Sequence, residues 1–146
     1  MATLVDTNVL SELMRAKPAP QVLAWFNSQM PQTMSVSSIT QAEMLLGARL
    51  LPLGQRRISL QARLHAMFQA DFLGRIWDFD AAAADRYADI VSQRRRAGRP
   101  ISMPDAQIAA IAGSRGAAIA TRNVADFEGC GLVVHNPWLA AARPQR

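Results

Sequence analysis

Acidic residues in this sequence follow short apolar segments of the kind that form β-strands. Asp6 comes directly after residues 2–5, and Glu43 comes shortly after residues 34–37. The carboxyl ends of parallel strands lie along one edge of a sheet, so acids that are distant in sequence can meet there. Because carboxylates repel one another, such a cluster requires a cation, and oxygen ligands favour Mg²⁺ or Mn²⁺. The pattern therefore indicates a metal site that acts on phosphates.

Two later segments supply polar residues to the same edge. Asp105 lies in the first turn of a predicted helix, and Asn123 and Asp126 follow the apolar residues 117–120. If the first and fourth strands are neighbours, Asn123 and Asp126 converge on Asp6. The sequence contains no cysteine–histidine cluster with zinc spacing and no glycine-rich phosphate loop, which favours oxygen ligation over these alternatives.

Each acid, taken alone, also has a purely structural explanation. Asp6 is suited to capping a helix or a turn, and the helix macrodipole favours Asp105. Asn123 and Asp126 are likewise suited to capping a short helix. Glu43 completes a capping box with Thr40, whose backbone amide it would bind. Taken together, however, these separate roles do not explain why all of the acids are expected at the same edge of the sheet.

Composition limits the class of protein. A chain of 146 residues is long enough for one domain with a real core. The single cysteine, Cys130, excludes an internal disulfide and fits a reducing compartment. The N-terminus does not resemble a signal peptide, and no apolar run reaches the roughly 18 residues of a membrane span. A soluble, cytoplasmic protein is expected.

The basic residues are almost all arginine. The formal net charge is +5, and Lys17 is the only lysine. Arginine holds phosphate in a bidentate fork, so the bias is compatible with nucleic acid, although a GC-rich genome explains it equally well. The run Arg94-Arg95-Arg96, with Arg99, is either a solvated helix end or a contact with a nucleic acid backbone. Arg122 is the better candidate for a phosphate contact because it adjoins the predicted site.

Short β-rich segments alternate with helical patterns, which predicts an α/β domain with a mainly parallel sheet and helices on both faces. The predicted strands cover residues 2–5, 34–37, 76–79, 117–120 and 132–135. The predicted helices cover about residues 8–15, 19–29, 39–51, 55–72, 81–97 and 104–112. In residues 55–72 an apolar stripe at helical spacing indicates a core-facing side rather than a partner groove. That stripe comprises Ile58, Leu64, Met67, Phe68 and Phe72.

Several short motifs together resemble the signature of PIN domains. More narrowly, they resemble the VapC toxins of bacterial toxin–antitoxin pairs, and in particular the FitB-like branch. The motifs are Val5-Asp6-Thr7-Asn8, Ile39-Thr40-Gln41-Ala42-Glu43, Pro104-Asp105-Ala106-Gln107, Ala120-Thr121-Arg122-Asn123 and Asp126-Phe127, with residues 10–13 and 135–138. The resemblance extends from about residue 2 to residue 138, and it rests on the order and spacing of the motifs.

The resemblance implies a three-layer α/β/α fold whose five-stranded parallel sheet has the order 3-2-1-4-5. It also implies a Mg²⁺-dependent ribonuclease, with a DNA-binding, VapB-like antitoxin whose C-terminal segment enters the active-site groove. A homodimer, a larger toxin–antitoxin assembly on operator DNA and an RNA substrate such as tRNA are expected. One PIN domain would cover residues 1–140, and residues 141–146 would form a disordered tail.

Carried over by position, Asp6, Glu43 and Asp105 match the three core acids of the family and would be the metal ligands. The fourth acid of many members falls at Asn123, which brings no charge, so Asp126 is expected to supply the missing carboxylate. The sequence leaves open whether one metal or two are held.

Two threonines complete the set implied by the resemblance. Thr7 and Thr121 match positions whose hydroxyl groups could orient water or phosphate. Arg122, which adjoins the site residues, would bind either a substrate phosphate or an acidic segment of the antitoxin. The expected reaction is hydrolysis of an RNA phosphodiester by metal-activated water, leaving a 5′-phosphate and a 3′-hydroxyl. His65 and His135 are isolated, and they are poor candidates for an acid–base pair in a 2′-hydroxyl mechanism.

Two alternatives differ in function class. One is another Mg²⁺-dependent phosphate hydrolase or a receiver-like domain, but the lone Lys17 is in the wrong place for a receiver. The other is an inactive PIN-like module that binds alongside a DNA-binding partner. The intact set Asp6, Glu43 and Asp105 argues against that module.

Overall fold

Five parallel strands form a single sheet in the order β3-β2-β1-β4-β5. A computed structural model describes residues 1–140, and the predicted tail over residues 141–146 lies outside that range. The strands are β1 (Thr3–Val5), β2 (Met34–Ser37), β3 (Ile76–Trp77), β4 (Ala118–Ala120) and β5 (Val134–His135). The predicted fold class, with its parallel sheet and strand order, is confirmed.

Helices connect these strands and cover both faces of the sheet. They are α1 (Thr7–Leu13), α2 (Pro20–Ser28), α3 (Ser38–Arg49), α4 (Gln55–Ala66), α5 (Ala81–Arg96), α6 (Met103–Ser114) and α7 (Pro137–Ala140). Pro31–Thr33 and Val124–Phe127 form 3-10 turns, and Met67–Asp71 continues α4 as a π-helical turn. No helix within residues 1–140 is long and apolar enough to cross a membrane.

The central strand separates two apolar cores. Leu4 packs with α5 and α6 on one face, whereas Val5, the next residue, packs with α1 to α4 on the other. This alternation is the period of two expected for a strand. In β4, Ile119 and Ala120 divide between the same two cores. Because both faces are covered, the sheet is the middle layer of three.

The apolar stripe on the fourth helix is confirmed except at its first member. Leu64 and Phe68 are buried, but Ile58 is 59% exposed, so its assignment to the core is wrong. At 3.6 residues per turn, Ile58 lies about 120° around the helix from Leu64, which is outside the packed face.

The pairing of β1 with β4 positions the polar residues that follow both strands. Val5 pairs with Ala120, and the Asp6 amide donates to the Ala120 carbonyl at 2.9 Å. Asp6 and Thr121 are therefore adjacent at the carboxyl edge of the sheet. The predicted neighbourhood of the first and fourth strands is confirmed.

Candidate active site

A cleft of about 540 Å³ opens at the carboxyl edge of the sheet. Six of the residues singled out from the sequence line it: Asp6, Thr7, Glu43, Asp105, Arg122 and Asn123. A second cavity of about 640 Å³ adjoins it between α1, α3 and α4 and shares Thr7 and Glu43 with it. The fold thus brings residues from four separate segments to one place.

Asp6 accepts more side-chain hydrogen bonds than the other acids that line the cleft. It stands at the N-cap of α1 and is 4% exposed. Its Oδ1 accepts from the Thr7 amide at 2.8 Å, and its Oδ2 accepts from Thr121 Oγ1 at 2.8 Å and from Asn8 Nδ2 at 3.2 Å. The capping explanation is therefore correct for Asp6, but it accounts for only one of three hydrogen bonds.

The charge of Asp6 is opposed by its surroundings. Burial raises the pKa of Asp6 from 3.8 to about 6, although the hydrogen bonds from Thr121 and Thr7 act against this rise. The negative charges of Asp105 and Glu43 raise the pKa further. Burial also raises the pKa of Asp105, and the charges of Asp126 and Glu43 add to that effect. A cation in the cleft would relieve this repulsion.

Glu43 does not form the predicted capping box. Ser37, the last residue of β2, is the N-cap of α3, and its Oγ accepts from the Thr40 amide at 3.0 Å. Glu43 is instead free to accept from Thr7 Oγ1 at 2.7 Å, and Thr7 Oγ1 lies 2.9 Å from Thr40 Oγ1. Since Thr7 donates its only hydroxyl proton to Glu43, Thr40 is the donor to Thr7. Two hydroxyls therefore orient this carboxylate.

Asp105 occupies the first turn of α6, as predicted. Ser102 is the N-cap of that helix, and its Oγ accepts from the Asp105 amide at 3.3 Å. The capping interaction is thus made by Ser102, which leaves the Asp105 carboxylate, half-buried, directed at the cleft.

Of the two candidates for the fourth acidic position, Asn123 lines the cleft and Asp126 does not. Asn123 lines the cleft, and its amide donates to Thr121 Oγ1 at 3.1 Å. It precedes the turn Val124–Phe127 without making a side-chain cap, so the capping explanation fails there. Asp126 is exposed and does not line the cleft, yet it is close enough for its charge to raise the pKa of Asp105.

Asn8 links α1 to the loop after β4, a role that the sequence did not predict. Its Nδ2 donates to Thr121 Oγ1 at 3.2 Å as well as to Asp6, and its Oδ1 accepts from the Arg122 amide at 3.1 Å. The only feature of the sequence that could have indicated this role is that Asn8 belongs to the motif Val5-Asp6-Thr7-Asn8. Asn8 thereby holds Thr121 and Arg122 in register with Asp6.

Four further cleft residues were also missed: Ser11, Glu12, Arg15 and Trp138. The guanidinium of Arg122 lies 4.8 Å above the Trp138 ring, which fixes its position by a cation–π contact. Glu12 is buried, and its Oε2 accepts from the Ala19 amide at 2.8 Å. That hydrogen bond is the main reason that the pKa of Glu12 is lowered, with the charges of Arg15 and Arg122 contributing.

The arginine run at the end of α5 divides into one buried and three exposed residues. Arg94 is 7% exposed, whereas Arg95, Arg96 and Arg99 are exposed. Both explanations given for the run are wrong for Arg94, because its guanidinium points inward and donates to backbone carbonyls. For the other three arginines they remain predictions.

The donor set of the cleft suits a hydrated divalent cation. Within residues 1–140, no group of three or more histidine, cysteine, aspartate or glutamate side chains is placed so that it could hold a metal ion by itself. Mg²⁺, however, is commonly bound through one or two carboxylates and keeps several waters. The oxygen donors of Asp6, Glu43 and Asp105, and the raised pKa values of Asp6 and Asp105, fit such an ion.

Comparisons with known proteins agree with this geometry. The family model described as PIN domain matches residues 3–128. VapC ribonuclease Y4jK of Sinorhizobium fredii is 42% identical over 135 residues, which cover 92% of this chain and 96% of that protein. Toxin FitB of Neisseria gonorrhoeae is 38% identical over 135 residues, covering 92% and 97%. The solved structure of FitAB bound to an IR36 DNA fragment superposes with a TM-score of 0.89 at 36% identity, covering 99% of this chain and 98% of that one.

Proposed function

We propose that this chain is the toxin of a toxin–antitoxin pair and that it cleaves RNA with the help of Mg²⁺. The chain belongs to the PIN-domain family and, within it, to the VapC ribonucleases. The observation that carries the proposal is the convergence of three carboxylates, from Asp6, Glu43 and Asp105, in one cleft. Clustered negative charges repel one another, and a cation or a proton removes that repulsion.

Asp6 and Asp105 would hold the ion directly, and Asn123 would contribute an uncharged oxygen. When bound, the ion would lower the pKa of a water molecule and neutralise the scissile phosphate. Mn²⁺ is the natural substitute, because it accepts the same oxygen ligands. Asp126 is assigned an indirect role, as a nearby charge rather than as a ligand.

The chain's own residues would orient the reactants. Glu43 would position the attacking water and accept its proton, with Thr7 fixing the carboxylate. Thr121 would keep Asp6 ionised through its hydrogen bond, and Arg122 would bind a phosphate of the RNA. In-line attack by water on phosphorus would break the bond to the 3′-oxygen, leaving a 5′-phosphate and a 3′-hydroxyl.

The proposed protein partner is a cognate antitoxin that also binds DNA, by analogy with FitAB on its DNA fragment. Such a complex would form in the cytoplasm, where the RNA substrate is found. tRNA is one candidate for that substrate. The toxin would be a homodimer within that assembly.

Cleavage of RNA by the purified chain, with Mg²⁺ and with EDTA, tests the proposal. Asp6→Ala and Asp105→Ala should lose at least a hundredfold in rate, in line with the loss of a metal ligand or its support. Asp85→Asn removes an exposed acid of α5 and serves as the matched control. Full Mg²⁺-dependent cleavage in either alanine variant would contradict the assignment. A folded wild type that binds its antitoxin but cleaves no RNA would favour the inactive binding module.

A further inference from the structure

Arg94 is a buried cation with no carboxylate partner among residues 1–140. It is 7% exposed, in the last turn of α5, and the ion pairs found within residues 1–140, Arg15–Glu12 and Arg99–Glu128, do not include it. Removing a guanidinium from water is costly unless its donors are satisfied. Its position therefore requires specific acceptors.

Those acceptors are backbone carbonyls from two separate loops. Arg94 Nε donates to the Arg99 carbonyl at 2.6 Å, and Nη1 donates to the carbonyls of Asp126 and Glu128, each at 2.9 Å. Nη1 also lies 3.7 Å from Cys130 Sγ. One guanidinium thus joins the end of α5 to the turn Val124–Phe127.

The end of α5 is itself fixed in place around Arg94. Gly98 has φ +71°, and the Arg99 amide donates to the Arg94 carbonyl at 2.9 Å, which is a Schellman motif. The Arg99 carbonyl is turned back toward the Arg94 side chain as a result. The chain then continues directly to Ser102, the N-cap that positions Asp105.

Both loops joined by Arg94 lead to acids of the candidate site. One leads to Asp105, and the other carries Asn123 and Asp126, whose charge acts on Asp105. A shift of one loop relative to the other would therefore move Asp105 relative to Asn123. The exposed Arg99 side chain also joins the two loops, because it donates to the Ala125 carbonyl and to the Glu128 carboxylate, but Arg94 joins them from a buried position.

We propose that Arg94 is a positioning residue that holds the turn bearing Asn123 and Asp126 against Asp105, and that it thereby sets the affinity of the cleft for a divalent metal. The inference rests on the proposed function, since it assumes the metal. It assigns Arg94 no contact with substrate or with the reacting atoms. A planar fork of donors is needed to reach carbonyls on two sides, and lysine offers only a point charge.

The test compares Arg94→Met and Arg94→Lys with Arg96→Met, a control that removes an exposed arginine from the same helical turn. Mg²⁺ is titrated while the melting temperature is followed, and again while RNA cleavage is followed. Arg94→Met should raise the Mg²⁺ midpoint by about tenfold in both titrations, within the range seen when a group that supports a metal ligand is removed. Arg94→Lys keeps the positive charge, which by itself lowers the pKa of Asp105, and so it separates loss of the charge from loss of the donor geometry. Cleavage at saturating Mg²⁺ should stay near the wild-type rate, and Arg94→Lys should be intermediate.

A purely structural role for Arg94 would lower the melting temperature without moving the Mg²⁺ midpoint, and that result would overturn the inference. If circular dichroism shows that Arg94→Met is unfolded, Arg94→Lys decides by the same criterion. A second experiment combines Arg94→Lys with Asp126→Asn. Asp126→Asn should raise the Mg²⁺ midpoint of the wild type but should not raise that of Arg94→Lys any further. If the two substitutions raise the midpoint by fully additive amounts, the inference is also overturned. A wild type whose melting temperature and cleavage ignore Mg²⁺ would instead refute the proposed function itself.

Discussion

Asp6 combines two opposing influences on one carboxylate. Three hydrogen-bond donors favour its charged form, whereas its burial and two neighbouring acids favour the protonated form. Burial prevails, and the pKa is raised to about 6. The ionised form of Asp6 is therefore unfavourable in the empty cleft, and binding of a proton or a cation relieves this cost.

This raised pKa predicts how the metal-free protein responds to pH. Between the ordinary value of 3.8 and the native value of about 6, the folded state keeps a proton that the unfolded state has lost. Stability contributed by Asp6 is therefore complete below about pH 4 and is lost as the pH rises through 6, with a loss of about 3 kcal/mol at most. Urea unfolding in EDTA across this pH range measures it.

Asp6→Asn is the control for that experiment, because the amide keeps the size of the side chain and cannot ionise. The free energy difference between wild type and variant should grow with pH in favour of the variant. Parallel curves for the two proteins would mean that Asp6 is already ionised at low pH and that its burial is unimportant.

Arg122 provides a second prediction for a single residue. Arg122→Met should weaken RNA binding and lower the slope of log affinity against log salt by about 1, because one phosphate contact is lost. Arg115→Met is the matched control, since the Arg115 guanidinium stacks on Trp77 at 4.7 Å in the same way but does not line the cleft. Equal effects of the two substitutions would show that general charge, not position, governs RNA binding.

Residues in short motifs could be predicted, and residues whose partners are distant could not. Asp6, Glu43 and Asp105 are recognisable because each closely follows a strand or begins a helix. Trp138 meets Arg122 only after α7 has packed against α2, and Arg94 differs from Arg95 and Arg96 only in the direction it faces. The sequence around these residues contains no signal for either contact.

At the level of elements, the helix caps decide which side chains are available for chemistry. Ser37 and Ser102 cap α3 and α6, so the carboxylates of Glu43 and Asp105 are not used for that purpose. The spacing of Thr40 and Glu43 predicts an N-cap at Thr40, three residues after the observed N-cap Ser37. Helix boundaries are thus part of the description of the site.

The cap of α3 can be tested directly. Ser37→Ala should destabilise the protein by about 1–2 kcal/mol, because the buried Thr40 amide loses its acceptor. Ser59→Ala, at an exposed position in α4, should be nearly neutral and serves as the control. Chemical denaturation gives both values, and an unchanged free energy of unfolding for Ser37→Ala would mean that Ser37 is not the effective cap.

The type and order of the elements followed from the sequence, whereas their ends did not. Strand β2 has the predicted bounds, but β3 is two residues shorter than predicted, and β5 begins two residues later. The π-helical turn Met67–Asp71 also went unforeseen, since it continues the helical spacing of α4. Strand pairing and packing set these limits, and both depend on distant residues.

For the whole molecule, metal binding should stabilise the fold. A ligand that binds only the native state at a hundred times its dissociation constant adds about 2.7 kcal/mol to the free energy of unfolding. The melting temperature of the wild type should therefore rise with Mg²⁺, beyond any effect of NaCl at matched ionic strength. A melting temperature that does not respond would count against a real site.

Asp105→Asn serves as the control for the Mg²⁺ effect. It removes one of the mutually repelling charges, so it should melt roughly 2 °C higher than the wild type in EDTA. It should then gain much less from Mg²⁺. Asp105→Asn should thus melt higher than the wild type in EDTA but lower in Mg²⁺. This reversal distinguishes binding at the site from a general ionic effect.

The central position of β1 has a consequence for biosynthesis. The ribosome adds the hydroxyl partner of Asp6, Thr121, 115 residues after Asp6 itself. β1 cannot complete its pairing until β4 has left the ribosome, because the strand order places them side by side. A nascent chain that has not yet reached β4 thus lacks the assembled site, and the proposed chemistry becomes possible only after Thr121 has been synthesised.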